Sequence, residues 1–437
     1  MRYLIGLLAL CCAVMAETRT AVALRDARVV TVGGPTLERG TVLLRDGIIE
    51  AVGEGVAIPP DAWVIEARGL TVYPGLMDAL TLLEQPPSGA ARPVGPAPDA
   101  PSQSPPRPAR GPQDRPSANS WLRAADLLNA SDRRLAEARN AGFTNAVIYP
   151  AAGIFAGQGA VLSLAGEKRR MIVASPAGQF LTLIGDRGYT GFPVSLMGAL
   201  AYIKQVYIDA AHYQAHRLAY ERRRPGVSRP DYDRALEGVL ESPRALLPAR
   251  SKVELERMAR FAADLKTPAV LYGGDAGYDA ADALAKARLP VLVSLKWPER
   301  PRDADPDYRE SLRLLELRER APSTPAVLAK AGVPFAFYTD GTAPRDVAKA
   351  VKRAIDAGLP ETDALRALTL APARIYGLAD RMGSIEKGKL ANLVVTDGPL
   401  FAETTKVKYI FVEGLKFEPP PDAPPSAPAA PPTGGDL

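Results

Sequence analysis

An α/β protein with a parallel barrel at its centre and a small antiparallel sheet beside it is what the 437-residue sequence predicts. Two patterns carry that expectation. Through the middle of the chain, apolar runs bounded by Pro and Gly alternate with helical stretches in the manner of βα units. Such runs suit strands buried on both faces, as a parallel barrel requires. From Thr20 to Val72, by contrast, Val, Ile and Leu alternate with polar residues in short runs separated by turns, the pattern of an antiparallel sheet.

The first element is a leader. MRYLIGLLALCCAVMA places Arg2 before an apolar run from Leu4 to Val14, with small residues near Ala16, the layout of a secretory signal cleaved after Ala16. The run is shorter than the about 20 apolar residues that a membrane span needs. Cys11 and Cys12 are preceded by Leu10 and Cys11, neither of which is the small residue of a lipobox, and a lipoprotein stays open as the alternative to soluble export. Both cysteines fall inside this leader, so the mature chain is expected to have no thiol, disulfide or Cys-ligated metal and to be held by packing alone. The expected location is periplasmic or secreted.

Next comes the sheet, read as VALRDARVVTVGG, GTVLLRDGIIEAVG and AWVIEARGLTVYPG, with Asp46-Gly47 as a hairpin turn between TVLLR and IIEAV. Residues 85–118 are dense in Pro, Ser, Gly and Ala and cannot bury enough area for a core, so they are expected to form a disordered insert. The tail 418–437 reads the same way. Between them, SDRRLAEARNAGF is a helix with Ser131 as N-cap and Gly142 near its end, feeding the strand TNAVIYP. Later strands are RALLPAR, TPAVLYGG, LPVLVSLKW and VPFAFYTDG, separated or followed by the helices KVELERMARFAADL, AADALAKA and PRDVAKAVKRAIDAG.

Charged residues make up 24% and aromatic residues 6%, an ordinary soluble balance, and a formal charge of +5 that falls by one with Arg2 is weak evidence for nucleic-acid or membrane binding. No partner of either kind is expected. No Ser-His-Asp set can be assembled, because the two histidines, His212 and His216, stand four residues apart in one helical stretch, and no nucleophile-elbow motif is present. Their spacing puts both imidazoles on one helix face, but HYQAH lacks the Glu of a zincin half-site, so they read as surface residues of an outer helix.

The segment YPGLMDALTLL, Tyr73 to Leu83, resembles the PGLIDxHxH stretch of the amidohydrolase superfamily, with Leu80 and Leu82 where that motif has its two histidines. GSIEKGKLANLVVTDGPL and VKYIFVEGLKF near the C-terminus resemble the family's closing strands. Phrases between, from WLRAADLLNASDRRLAEARNAGFTNAVIYPAAGIFAGQGA to FYTDG and ALRALTLAPARIYGLADRMGSIEKGK, are similar to exported imidazolonepropionase-like members. The resemblance implies a distorted (β/α)8 TIM-like barrel, with a composite β-sandwich assembled from both ends of the chain. It implies the division 1–16 signal, 17–72 first half of the sandwich, 73–382 barrel, 383–417 second half and 418–437 tail. It also implies hydrolysis of non-peptide C–N bonds by metal-activated water.

Transferred residue by residue, that chemistry meets an obstacle. Asp340, in FYTDG, stands where the family's catalytic Asp stands, but the remaining ligand positions fall at Leu80, Leu82, Pro248 and Gly273, none of which offers a lone pair from its side chain. No bound metal or other cofactor is therefore expected. Lys296 ends the strand before that of Asp340 and Arg250 ends an earlier one, both at the barrel rim, and either could neutralise Asp340 in place of a metal ion. Gln158, on the Gly-rich GIFAGQGA, is expected to border the barrel mouth and to contact a small-molecule ligand. Such a chain is either a binding or partner-stabilising pseudoenzyme or a hydrolase using Asp340 without metal or completed by another subunit. By resemblance, its partners would be a second copy of itself or an intact amidohydrolase.

Overall fold

A computed structural model of the protein describes residues 21–83, 115–166, 171–184, 192–300 and 309–420. The signal, most of the Pro-rich insert and most of the tail lie outside the described residues. The last four residues of the insert do not, and they are packed: Ala118 is buried, and Arg115 is held between Asp209 and Asp233 at 2.9 and 2.8 Å.

The composite sheet is one hydrogen-bonded unit. Its N-terminal strands are β1 (Val22–Val29), β2 (Leu37–Arg45), β3 (Ile48–Gly53), β4 (Trp63–Glu66) and β5 (Thr71–Pro74). Strands β16 (Leu393–Thr396), β17 (Val407–Val412) and β18 (Leu415–Phe417) complete it in the order β18-β17-β16-β5-β1-β2-β3, with β4 also on β1. The two ends of the chain meet where β16 runs antiparallel to β5. Asp46 and Gly47 both have positive φ, as the expected two-residue hairpin demands. Leu24, Val42, Ile49, Val72, Leu393 and Phe411 form the sheet's core, all fully buried.

Chain direction carries straight from sheet to barrel, because β6 (Leu76–Leu83) follows β5 across Gly75 alone. The barrel's parallel pairings join β6 to β7 (Phe143–Pro150) and join β11 (Gln179–Leu181), β12 (Ala245–Ala249), β13 (Ala269–Gly273), β14 (Val291–Ser294) and β15 (Phe335–Tyr338) in sequence. Between these two groups the chain runs the other way. β8 (Phe155–Gln158) is antiparallel to β11, and β9 (Ala160–Ser163) is antiparallel to β7, so a single bent stretch bridges the two parallel groups. Its bend is at Gly159, where a Cβ would lie 2.2 Å from the buried Tyr149 ring. A hairpin partner, β10 (Ile172–Ala174), lies outside β9.

The other seam is closed by side chains. Asp78 on β6 accepts from the Thr339 backbone N–H at 3.0 Å and from Thr339 Oγ1 at 2.6 Å, and Thr339 directly follows β15. Inside the barrel, Met77, Leu80, Tyr149, Phe180, Leu246, Val270, Leu292, Ala336 and Tyr376 pack as one apolar cluster. Outside it, helices such as Lys252–Leu265, Val347–Asp356 and the long Leu196–Glu221 bury their apolar stripes against the strands. Ser251 and Glu254 cap the first of these reciprocally. For the helix Arg133–Asn140 the N-cap is Asp132 rather than Ser131, its carboxylate accepting from the Arg134 N–H. No helix among the described residues is long and apolar enough to cross a membrane.

Candidate functional site

Four consecutive barrel strands deliver polar groups to one place. Arg250 follows β12, Asp275 lies two residues beyond β13, Ser294 ends β14 and Asp340 lies two residues beyond β15. All four therefore stand at the C-terminal ends of parallel strands, where βα loops assemble sites. The Arg250 guanidinium donates from one nitrogen to Asp340 Oδ2 at 2.9 Å and from another to Asp275 Oδ2 at 3.2 Å. Ser294 Oγ donates to the same Asp340 oxygen at 2.9 Å and accepts from the Lys296 backbone N–H. Asp340 has φ of 50°, a left-handed conformation that Asp tolerates, with Gly341 continuing the turn.

Burial separates the roles of the two acids. Asp275 is 6% exposed, and burial pushes its carboxyl up to about 6, with the nearby Asp340 charge adding to the effect and Arg250 opposing it. Arg250 cannot prevail because its one charge is shared between two carboxylates. For Arg250 itself burial works against the charge, yet Asp275 and Asp340 outweigh it and hold its pKa above the ordinary value. The Tyr272 and Tyr338 hydroxyls beside this cluster are raised chiefly by burial.

Gly273 explains how the arginine fits. At φ of 110°, a Cβ there would lie 2.7 Å from Arg250 Cγ and 2.9 Å from the Ala249 carbonyl oxygen. Arg250 in this position and a side chain at residue 273 exclude each other. The other ligand positions transferred by resemblance are equally unsuited. Pro248 sits in β12 opposite Tyr272, and Leu80 is buried among the barrel's interior side chains. Leu82, at 41% exposure, does not join Leu80 in that interior. β6 is irregular around Leu80: three steps from Asp78 to Thr81 face two from Ala146 to Ile148, which breaks the in-out alternation. The residues present do not fit a hydrolytic metal centre, because imidazoles are missing at every transferred position and both remaining acids are engaged by a guanidinium. Among the described residues, no three His, Cys, Asp or Glu side chains gather in a metal-holding group.

Two expected residues are elsewhere. Lys296 is exposed and offers the cluster only its backbone N–H, so Arg250 alone makes the contact with Asp340. Gln158 is not at the mouth at all. It ends β8, which runs against the barrel direction, and is level with Gln179 and Ala245, the first residues of β11 and β12. That places it at the opposite end, fully buried, with Nε2 donating to the Gly238 carbonyl at 2.9 Å and to Glu241 at 3.2 Å. Its amide serves the fold. Conversely, Asp275 and Ser294 belong to the site without any motif in the sequence to mark them; the clue available was their place at the end of an apolar strand.

His212 and His216 lie on the helix Leu196–Glu221, as expected, and border a pocket of about 580 Å³ that also includes Arg115, Asp209 and Tyr213. This pocket shares no residue with the Asp340 cluster.

Comparison with known proteins agrees with this architecture. A family model described as the amidohydrolase family matches residues 304–416. A stretch of 48 residues is 46% identical to N-acetylglucosamine-6-phosphate deacetylase from Haemophilus influenzae, covering 11% of this chain and 13% of that protein. The chain is similar over 91% of its length to all of an amidohydrolase from Thermotoga maritima, with a TM-score of 0.71 and 25% identity. A prolidase complexed with N-methylphosphonate-L-proline shares the fold at 16% identity and a TM-score of 0.53, over 91% of this chain and 100% of that one. With the sheet-plus-barrel architecture and the motif frame around Asp78 and Asp340, these likenesses support the amidohydrolase superfamily for this chain.

Proposed function

We propose that this protein is an exported, imidazolonepropionase-like amidohydrolase homologue that has exchanged its metal centre for an arginine and acts as a ligand-binding pseudoenzyme. The observation that carries this reading is the Arg250 guanidinium bonded to both Asp275 and Asp340, over a glycine where a ligand side chain would collide with it. A guanidinium supplies positive charge and fixed N–H donors, but it cannot lower the pKa of a bound water as a divalent metal does. Asp340, tied to Arg250 and Ser294, is held as a structural anion and not poised as a base. The apolar leader with its small residues near Ala16 supports export, and N-terminal sequencing of the secreted or periplasmic protein tests that part.

A second reading, a hydrolase that uses Asp340 without metal, has the Ser294 to Asp340 hydrogen bond in its favour. Against it, Ser294 is fully buried and no histidine lies near it to relay a proton. A hydrolysis screen on cyclic amides and dipeptides, comparing wild type with Asp340→Ala, separates the two. No turnover by either protein supports the pseudoenzyme, and turnover lost with Asp340 supports the hydrolase.

A further inference from the structure

Two buried polar atoms at the barrel mouth have no hydrogen-bond partner among the described residues: Asp275 Oδ1 and the Tyr338 hydroxyl. Both side chains are more than nine-tenths buried, with residue exposures of 6% and 3%. They belong to one cluster, since Tyr338 is the cross-strand partner of Ser294, which bonds Asp340, and Asp275 shares the Arg250 guanidinium with Asp340. The contacts of Asp340 with Arg250 and Ser294 both fall on its Oδ2, which leaves Oδ1 outside them. Leaving a buried acceptor unmet costs more than a made hydrogen bond returns, so a group from outside the fold is called for.

Charge decides what kind of group. One guanidinium faces two carboxylates, which leaves the cluster with an unbalanced negative charge. Arg250 is 55% exposed, so the cluster opens to solvent on its side. A hydroxyl could donate to these oxygens but would leave the charge unbalanced, and an anion would add to it. A charged N–H donor meets both needs and makes the stronger, charge-assisted hydrogen bond.

We propose that the barrel mouth binds an organic cation bearing a primary ammonium or amidinium group, its N–H bonds accepted by Asp275 Oδ1 and Asp340 Oδ1 beside the Tyr338 hydroxyl. This rests on the reading above, in which Arg250 and not a metal ion faces the two acids. The Tyr272 and Tyr338 rings stand beside the acids and add apolar surface suited to an alkyl or aryl amine.

Isothermal titration of the full chain tests it, with benzylammonium and benzamidinium as cationic probes, benzyl alcohol and benzoate as neutral and anionic counterparts, and manganese chloride as a separate arm. Cationic probes are expected to bind at least about tenfold more tightly than the alcohol, a difference of the size one charged pair gives. Asp275→Asn and Tyr338→Phe, each checked for folding by circular dichroism, are each expected to weaken that binding several-fold; the second removes only a hydroxyl. Absence of cationic binding, equal binding of the alcohol or benzoate, or unchanged affinity in both folded variants overturns the ligand class. Stoichiometric manganese binding to wild type overturns the reading of Arg250 instead, so the two failures are distinguishable.

Discussion

Thr339 gives both its backbone N–H and its hydroxyl to the carboxylate of Asp78, 261 residues earlier in the chain. The retained acid of the PGLMD phrase therefore ties the first barrel strand to the last, one residue before Asp340. It also accepts from Thr81 Oγ1 at 2.8 Å, and burial raises its pKa. Asp78→Ala should lower unfolding stability by about 2–4 kcal/mol, because several buried donors lose their acceptor together. Urea denaturation midpoints measure this, and a loss within about 0.5 kcal/mol would mean that the seam is closed by packing alone.

Arg250→Ala removes the one positive charge between Asp275 and Asp340. At 55% exposure the pair is partly screened, so a modest loss of about 1–2 kcal/mol is expected at neutral pH. More telling is the response to manganese. Millimolar manganese should raise the thermal midpoint of the variant and leave wild type unmoved, since only the variant has free acids facing each other.

Gly273→His restores an imidazole at a transferred ligand position, and it should be among the worst tolerated changes at the mouth. The backbone there is left-handed, and Arg250 Cγ would lie 2.7 Å from the new Cβ. The expected cost is above about 2 kcal/mol, with part of it recovered when Arg250→Ala is added. A double-mutant cycle reads the coupling, and strict additivity would remove the claim that the two positions exclude each other.

The Asp275 carboxyl, pushed up to about 6, gives a pH dependence of known sign. Its folded value lies above the unfolded one, so its contribution to stability is fully present below the unfolded pKa and is lost as pH rises through about 6. Relative to Asp275→Asn, wild type should therefore lose stability between about pH 4 and about pH 7, by an amount on the order of a few kcal/mol. Denaturant midpoints of both proteins across that range supply the comparison, and a constant difference would show that Asp275 is an ordinary surface acid.

Local signals made much of this fold legible. The Asp46-Gly47 turn, the helix Lys252–Leu265 between Ser251 and Lys266, and the strands around Leu246, Val270, Leu292 and Ala336 all announce themselves by turn chemistry, capping and apolar runs. Strand direction does not. The stretch Phe155–Ser163 runs opposite to its parallel neighbours, and hydrophobic periodicity is the same for either direction, which is why Gln158 was expected at the wrong end of the barrel. Asp340 was readable because its FYTDG frame is intact. Asp275 was hidden because GGDAGY offers no family residue at Gly273 to anchor it, and only the folded chain brings it to Arg250. Lys296 and Arg250 look alike as strand-ending cations, and side-chain direction alone separates them.

Metal content of the purified full chain, measured together with turnover before and after a chelator, bears most directly on Arg250 as the cation between Asp275 and Asp340. Substoichiometric metal and no chelator-sensitive hydrolysis is the expected result. One divalent ion per chain, with turnover that the chelator abolishes, would contradict it.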